Sequence, residues 1–168
     1  MNWDKGVDYV AVYNILRRNL YSRKKREICY SAILLIQLRN GSRISEAVEG
    51  FKQYLLTRKN EIYVRVRKKK REDYRLMIIP EELLSVDLSI CGDLLNIDDR
   101  KLRDRVRKYI SNKYKINTHS LRYAFITYLL KNNINVSIIA KITHHSNLNY
   151  ILHYTQQKWS EEVLKNIG

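Results

Sequence analysis

Apolar residues recur with a helical period in the first third of the chain. Tyr9, Val12, Tyr13, Leu16 and Leu20 share one helical face, and Arg17 and Arg18 lie on the other. After a basic cluster, Arg23, Lys24, Lys25 and Arg26, residues 28–38 read as a second, more apolar helix. Asn40-Gly41 ends it as a C-cap pair would. Ser42 is placed to cap a short helix carrying Arg43, Glu46 and Val48. The period then changes. Tyr54-Leu55-Leu56, residues 62–66 and residues 74–79 read as three short strands, with turns at Lys59-Asn60 and at residues 69–73. Alternation puts Ile62, Val64 and Val66 on one face of the second strand, and Tyr63, Arg65 and Arg67 on the other. The connections are short enough for an antiparallel meander. Pro80 closes the last strand and can open a helix at 81–84.

The rest of the chain returns to helical spacing. Residues 98–114 form an amphipathic, strongly basic helix with Leu102, Val106 and Ile110 inward. Residues 119–130 form another, burying Leu121, Phe125, Tyr128 and Leu129. Short helices are expected at 136–142 and 150–155, and a last one at 161–165 capped by Ser160. The expected fold is therefore α+β, mostly α-helical with a small three-stranded antiparallel sheet.

Composition narrows the function. The 168 residues are 45% hydrophobic, enough for one domain with its own core. Lys and Arg number 32 against 17 Asp and Glu, a net charge of +15. Such a surface attracts polyanions, nucleic acid first and an anionic membrane second. The basic residues are spread over helices and a hairpin with no strongly apolar face beside them, which disfavours the membrane. The longest apolar stretch, residues 32–38, is far too short to span a bilayer, and the first ten residues lack a signal-peptide layout. An intracellular soluble protein is the expectation. Cys29 and Cys91 are too few and too far apart to suggest a metal site or a disulfide framework, and Cys29 reads as a small buried hydrophobe.

Four local patterns carry chemistry, in this order. Gly41-Ser42-Arg43-Ile44-Ser45-Glu46 puts an arginine at a helix start. Arg65-Val66-Arg67-Lys68-Lys69-Lys70 is a basic hairpin. His119 and Arg122 lie one helical turn apart and share a face. His144-His145 is followed by Tyr154, nine residues after His145. Any one of these has a bland explanation, since most tyrosines pack and most lysine runs are solvated. Together they supply what phosphodiester cleavage by a tyrosine requires. Two arginines can bind non-bridging phosphate oxygens bidentately. A hairpin lysine can protonate a departing 5′ oxygen, and histidines can move protons or hold oxygens. A phosphotyrosine would conserve bond energy for rejoining, with no metal or cofactor required.

In this order and spacing the residues resemble the tyrosine recombinase (phage integrase) family. Its signature is a Gly-x-Arg-x-Ser-Glu element, a hairpin lysine, a His-x-x-Arg helix, and a Gly-His element with the nucleophilic tyrosine nine residues after its His. The match runs from about Arg23 to Thr155, with Phe125 and Thr127 also similar to the pattern. The resemblance implies the catalytic-domain fold of that family, with Tyr154 as nucleophile, Arg43 and Arg122 on the scissile phosphate, and His119 and His145 as hydrogen-bond and proton-transfer groups. Lys68 is the implied general acid, Lys70 the second choice. Arg65, Arg67, Lys69 and Lys70 would contact DNA. Double-stranded DNA is the implied partner, with self-association as a tetramer on it. His144 stands where the family usually has glycine. The chain is expected to be one catalytic domain over residues 1–168, without the N-terminal core-binding domain. Trp159, Val163 and Leu164 in the tail are placed either to anchor on a neighbouring protomer or to pack on their own domain. The implied activity is site-specific recombination for integration, excision or resolution. The alternatives are a type IB topoisomerase-like relaxing enzyme, or a DNA-binding module on the same fold.

Overall fold

The computed structural model describes residues 7–66, 72–145 and 148–167. The lysine-run positions Arg67, Lys68, Lys69 and Lys70 lie outside the described residues. Helix α1 spans Tyr9–Asn19 and is capped by Asp8, whose side chain accepts from the Ala11 amide. Helix α2, Lys25–Asn40, is the centre of the fold, with every residue from Cys29 to Leu38 buried. A helix apolar on all sides has to be surrounded. Accordingly α2 packs against α1, against α3 (Ile44–Thr57), and against α5 (Asp99–Tyr114) and α6 (Thr118–Lys131). The apolar stripe Val12, Leu16 and Leu20 covers one side of it, and Leu102, Val106 and Ile110 join the same core.

Strands β1 (Glu61–Arg65) and β2 (Tyr74–Ile78) pair antiparallel, with Val64 opposite Arg75. The alternation behaves as expected: Ile62, Val64 and Val66 are buried, and Tyr63 is 63% exposed. The sheet has two strands among the described residues, not three. Tyr54-Leu55-Leu56 instead forms the last turn of α3, which ends with Arg58 in the left-handed conformation. A three-residue apolar run carries no period of its own, and here the helix starting at Ile44 simply continues through it.

Beyond the sheet come α4 (Glu81–Leu84), with Pro80 as its N-cap, and a 3-10 helix at Ser89–Asn96 that no sequence period announces. Helix α7 spans Val136–Thr143 and α8 spans Asn149–Asn166. The two short helices expected in the tail are thus one continuous helix. Ser160 sits inside it, its hydroxyl donating back to Gln157 O. Tyr128, expected inside, is 37% exposed. The cysteines correct the sequence reading more sharply. Cys29 is buried as expected and Cys91 is buried too, but they form a Cys29–Cys91 disulfide across a sequence separation of 62. The 3-10 helix packs on α2 and removes the distance that the sequence suggested. No helix among the described residues is long and apolar enough to cross a membrane.

Candidate active site

Three chain segments converge beside the C-terminal end of α2. The first is the turn from α2 into α3. Gly41 caps α2 at φ +59, and a Cβ there would lie 2.1 Å from Phe125 Cδ1. Only glycine lets the turn adopt this conformation with the Phe125 ring of α6 against it. The turn places Arg43, not Ser42, as the N-cap of α3. Glu46, three residues on, accepts from the Arg43 amide at 3.2 Å and from Arg43 Nη1 at 3.1 Å. Its carboxylate thus fixes both the backbone and the guanidinium of that residue.

The second segment is the start of α6. Asn117 caps it, accepting from the His119 amide, and Arg122 is buried one turn later. Buried Gln37, a polar interruption in the apolar run of α2, donates to both Ser42 O and Thr118 O at 3.1 Å. One side chain therefore ties the Arg43 turn to the His119 helix. His119 itself is exposed and lines, with Arg43, Arg100, Arg103 and Arg107, a cavity of about 690 Å³.

The third segment follows α7. Arg122 Nη2 donates to Thr143 O at 2.7 Å and lies 3.1 Å from His145 Nδ1. The Thr143 hydroxyl is 2.7 Å from the same nitrogen. Arginine can only donate, which calls for a bare Nδ1, whereas the Thr143 hydroxyl donates to Ile139 O at 2.9 Å and so calls for a protonated one; the two partners favour opposite tautomers of His145. His144 faces elsewhere. It ends α7 at φ +58, and its Nδ1 donates to Asp73 Oδ2 at 2.8 Å. The structure therefore brings Arg122 and His145 together and separates His144 from them.

A residue missed in the sequence reading completes the cluster. Arg75 of β2 is 2% exposed, donates from Nη2 to Asn40 O at 2.6 Å, and has Nη1 3.6 Å from Glu46 Oε1. Burial lowers its pKa, opposed by Glu46 and reinforced by Arg43. Asn40, also buried, pairs with the Ile78 backbone through both its amide nitrogen and its oxygen, locking β2 to α2. Burial pushes the Arg122 guanidinium down to about 9, and the positive charge of Arg43 adds to the effect. Arg122 Nε and Nη1 are buried with no hydrogen-bond partner among the described residues. Buried donors of this kind are costly in the free protein and suit an incoming anion.

Arg65 sits at the exposed end of β1, its amide donating to Glu49. Tyr154 falls within α8, but its side chain and that of Trp159 lie outside what the structure describes, as do Lys68 and its neighbours. Among the described residues no group of His, Cys, Asp and Glu is arranged to hold a metal ion. The arrangement can bind a tetrahedral anion through two guanidiniums and offer it an imidazole N–H.

Comparison with known proteins bears on the family and the fold. Residues 8–161 match the family model described as the phage integrase family. An uncharacterized protein of Methanocaldococcus jannaschii is 37% identical over 198 residues, covering 99% of this chain and 89% of the relative. A protein of Acidianus two-tailed virus, provisionally named integrase ORF241, is 41% identical, covering 99% of this chain and 69% of the relative. The crystal structure of XerA recombinase is similar in fold, with a TM-score of 0.53 at 18% identity. That match covers 95% of this chain, which spans 62% of the XerA chain.

Proposed function

Because the chain belongs to the phage integrase family, we propose that it is a site-specific DNA recombinase that cuts and rejoins strands through a covalent 3′-phosphotyrosine. The observation that carries this reading is the cluster of buried Arg122 with half-buried Arg43 and His145, in which two Arg122 donors have no partner among the described residues. In this reading Arg43 and Arg122 bind the non-bridging oxygens of the scissile phosphate. His145 donates a ring proton to one of them, and His119 at the rim takes part in proton transfer. Tyr154 attacks phosphorus, the bond to the 5′ oxygen breaks, and Lys68 or Lys70 delivers the proton that oxygen needs. Attack by a 5′ hydroxyl of a partner strand reverses the steps. Removing one donor to developing charge commonly costs about 10²–10³ in rate, so each arginine should be indispensable.

Double-stranded DNA is the partner, and the +15 charge supports it. Arg65, Arg67, Lys69 and Lys70 would reach flanking phosphates. Tetrameric assembly on DNA is part of the same proposal. At the end of α8, Val163, Leu164 and Ile167 are 44%, 74% and 73% exposed, apolar surface that a neighbouring protomer could cover.

The test is incubation of wild type and Tyr154→Phe with a nicked suicide duplex, resolved on a denaturing gel. Wild type should give a protease-sensitive protein–DNA adduct in the presence of a chelator, and the variant none. A protein that binds DNA but forms no adduct on it would be a binding module, and the catalytic reading would fail.

A further inference from the structure

Arg43 and Arg122 come from different helices, each seated on α2. Among the described residues α3 and α6 pack on α2 rather than along each other. The two guanidiniums also repel: burial and then the positive charge of Arg43 lower the Arg122 pKa. Something must therefore fix the Arg43 turn against the start of α6 in spite of that repulsion. The Phe125 ring against Gly41 does so in part, but dispersion contacts carry little direction. The directional link is Gln37.

Gln37 is 1% exposed, and its amide nitrogen donates to Ser42 O and to Thr118 O at 3.1 Å each. Ser42 precedes Arg43. Thr118 precedes His119 and lies one helical turn ahead of Arg122. The Gln37 backbone grips the same turn, its carbonyl accepting from the amides of Gly41 and Ser42. An apolar side chain would be cheaper to bury here, because the Gln37 side-chain oxygen has no partner among the described residues. The two carbonyls are the reason for an amide: its NH2 group has two protons and serves both at once.

Resting on the strand-cleavage reading above, we propose that Gln37 is a positioning residue that sets the spacing of Arg43 against His119 and Arg122. It touches no substrate. It acts through the backbone beside each arginine, so that two guanidiniums reach the oxygens of one phosphodiester together. A forked grip of that kind depends on placement, and a misplacement of about 1 Å costs about 100-fold in rate. DNA affinity, by contrast, is summed over many phosphates. Loss of the tie should slow cleavage and leave binding as it was.

The experiment is a double-mutant cycle of Gln37→Met with Arg43→Lys in the full chain. It is read by single-turnover adduct formation on the nicked suicide duplex, at a temperature where every variant is folded. Methionine removes both donors at similar volume. Lysine at 43 keeps the charge but holds phosphate as a point charge, without the fork that depends on spacing. Val12→Ala, in the core stripe of α1, is the control for lost stability alone. Gln37→Met should cleave about 10-fold to 100-fold more slowly than wild type, with DNA affinity by anisotropy unchanged. In the Arg43→Lys background the same change should cost no more than about 2-fold, the usual error of additivity. Val12→Ala should melt lower and cleave at the wild-type rate. Gln37→Glu keeps the shape with at most one donor, and carries the same comparison if the methionine variant does not fold. Equal fold losses in both backgrounds, or a Gln37→Met rate no lower than that of Val12→Ala, would overturn the inference alone. A wild type that binds the duplex and forms no adduct would overturn strand cleavage itself, and this inference with it.

Discussion

Replacing Glu46 with glutamine should destabilise the fold far more than an exchange of one oxygen for one nitrogen suggests. The Glu46 carboxylate is fully buried and faces Arg43 at 3.1 Å and Arg75 at 3.6 Å. Its negative charge also raises the pKa of the neighbouring Arg122, which burial and Arg43 lower. Glutamine keeps one oxygen for the Arg43 amide, so the helix cap survives, but the negative charge is lost and an amide NH2 replaces the oxygen that accepts from Arg43 Nη1. At 3.6 Å and an effective dielectric of about 20, the attraction to Arg75 alone is about 4–5 kcal/mol. Part of that is returned because a neutral amide costs less to desolvate. Removing one member of a buried ion pair typically costs about 3–5 kcal/mol net. For a domain of this size each kcal/mol shifts the melting temperature by about 2–4 °C, so a fall of about 6–20 °C is expected. Thermal and urea melts of wild type and Glu46→Gln, with Glu46→Asp as a charge-preserving control, measure it. A loss below about 1 kcal/mol would refute the account of Glu46 as the counter-ion that makes the arginine cluster tolerable.

Other outcomes follow from single features. Reducing the Cys29–Cys91 bond, or the double change to alanine, frees a loop of 62 residues and should cost about 4 kcal/mol on the chain-entropy account. Equal urea midpoints with and without reductant would contradict a structural role. Gly41→Ala meets both a positive φ and the Phe125 ring, so a loss of about 2 kcal/mol or more is expected by the same melts. An unchanged midpoint would mean that the turn relaxes at no cost. DNA affinity, measured by fluorescence anisotropy between low and high salt, should fall steeply, with a log–log slope of about −0.9 per phosphate contacted. A flat dependence would remove the phosphate-contact reading of the basic surface.

Much of the scaffold was legible because burial and periodicity coincide. The stripes of α1 and α5 and the alternation of β1 each place one set of side chains in one core, and a period detects that. What escaped has no period or depends on distant partners. Tyr54-Leu55-Leu56 is too short to distinguish strand from helix, and the 3-10 helix at Ser89–Asn96 repeats nothing. The disulfide and the His144–Asp73 bond join residues 62 and 71 apart, which spacing cannot foresee. Two misses did leave a signal. Gln37 interrupts an otherwise apolar helix, and a buried amide must find partners. Arg75 follows the inward register of β2, opposite Val64, so alternation alone puts its guanidinium in the interior. In the candidate site, the placement of Arg43, Arg122 and His145 follows local motifs. The frame that holds them, Gln37, Asn40, Glu46 and Arg75, is visible only once the chain is folded.

That frame has an electrostatic consequence for the proposed reaction. Among the described residues the cluster sets three guanidiniums, those of Arg43, Arg75 and Arg122, against the single buried carboxylate of Glu46. Its local excess is therefore two positive charges, left over after a pairing that already secures the fold. A phosphodiester brings one negative charge in the ground state. Attack by a tyrosine oxygen that has lost its proton brings a second, before the leaving group is protonated. The site is matched to the charge of the transition state rather than to that of bound DNA. Catalysis requires such differential stabilisation, whereas equal stabilisation of both states would only tighten binding. It also suits the buried donors of Arg122 that no group among the described residues satisfies. Neutralising Glu46 would enlarge that excess by one and favour tighter ground-state DNA binding. For Glu46→Gln, at temperatures where it remains folded, DNA should therefore bind at least as tightly as to wild type, while the rate of cleavage once bound does not rise.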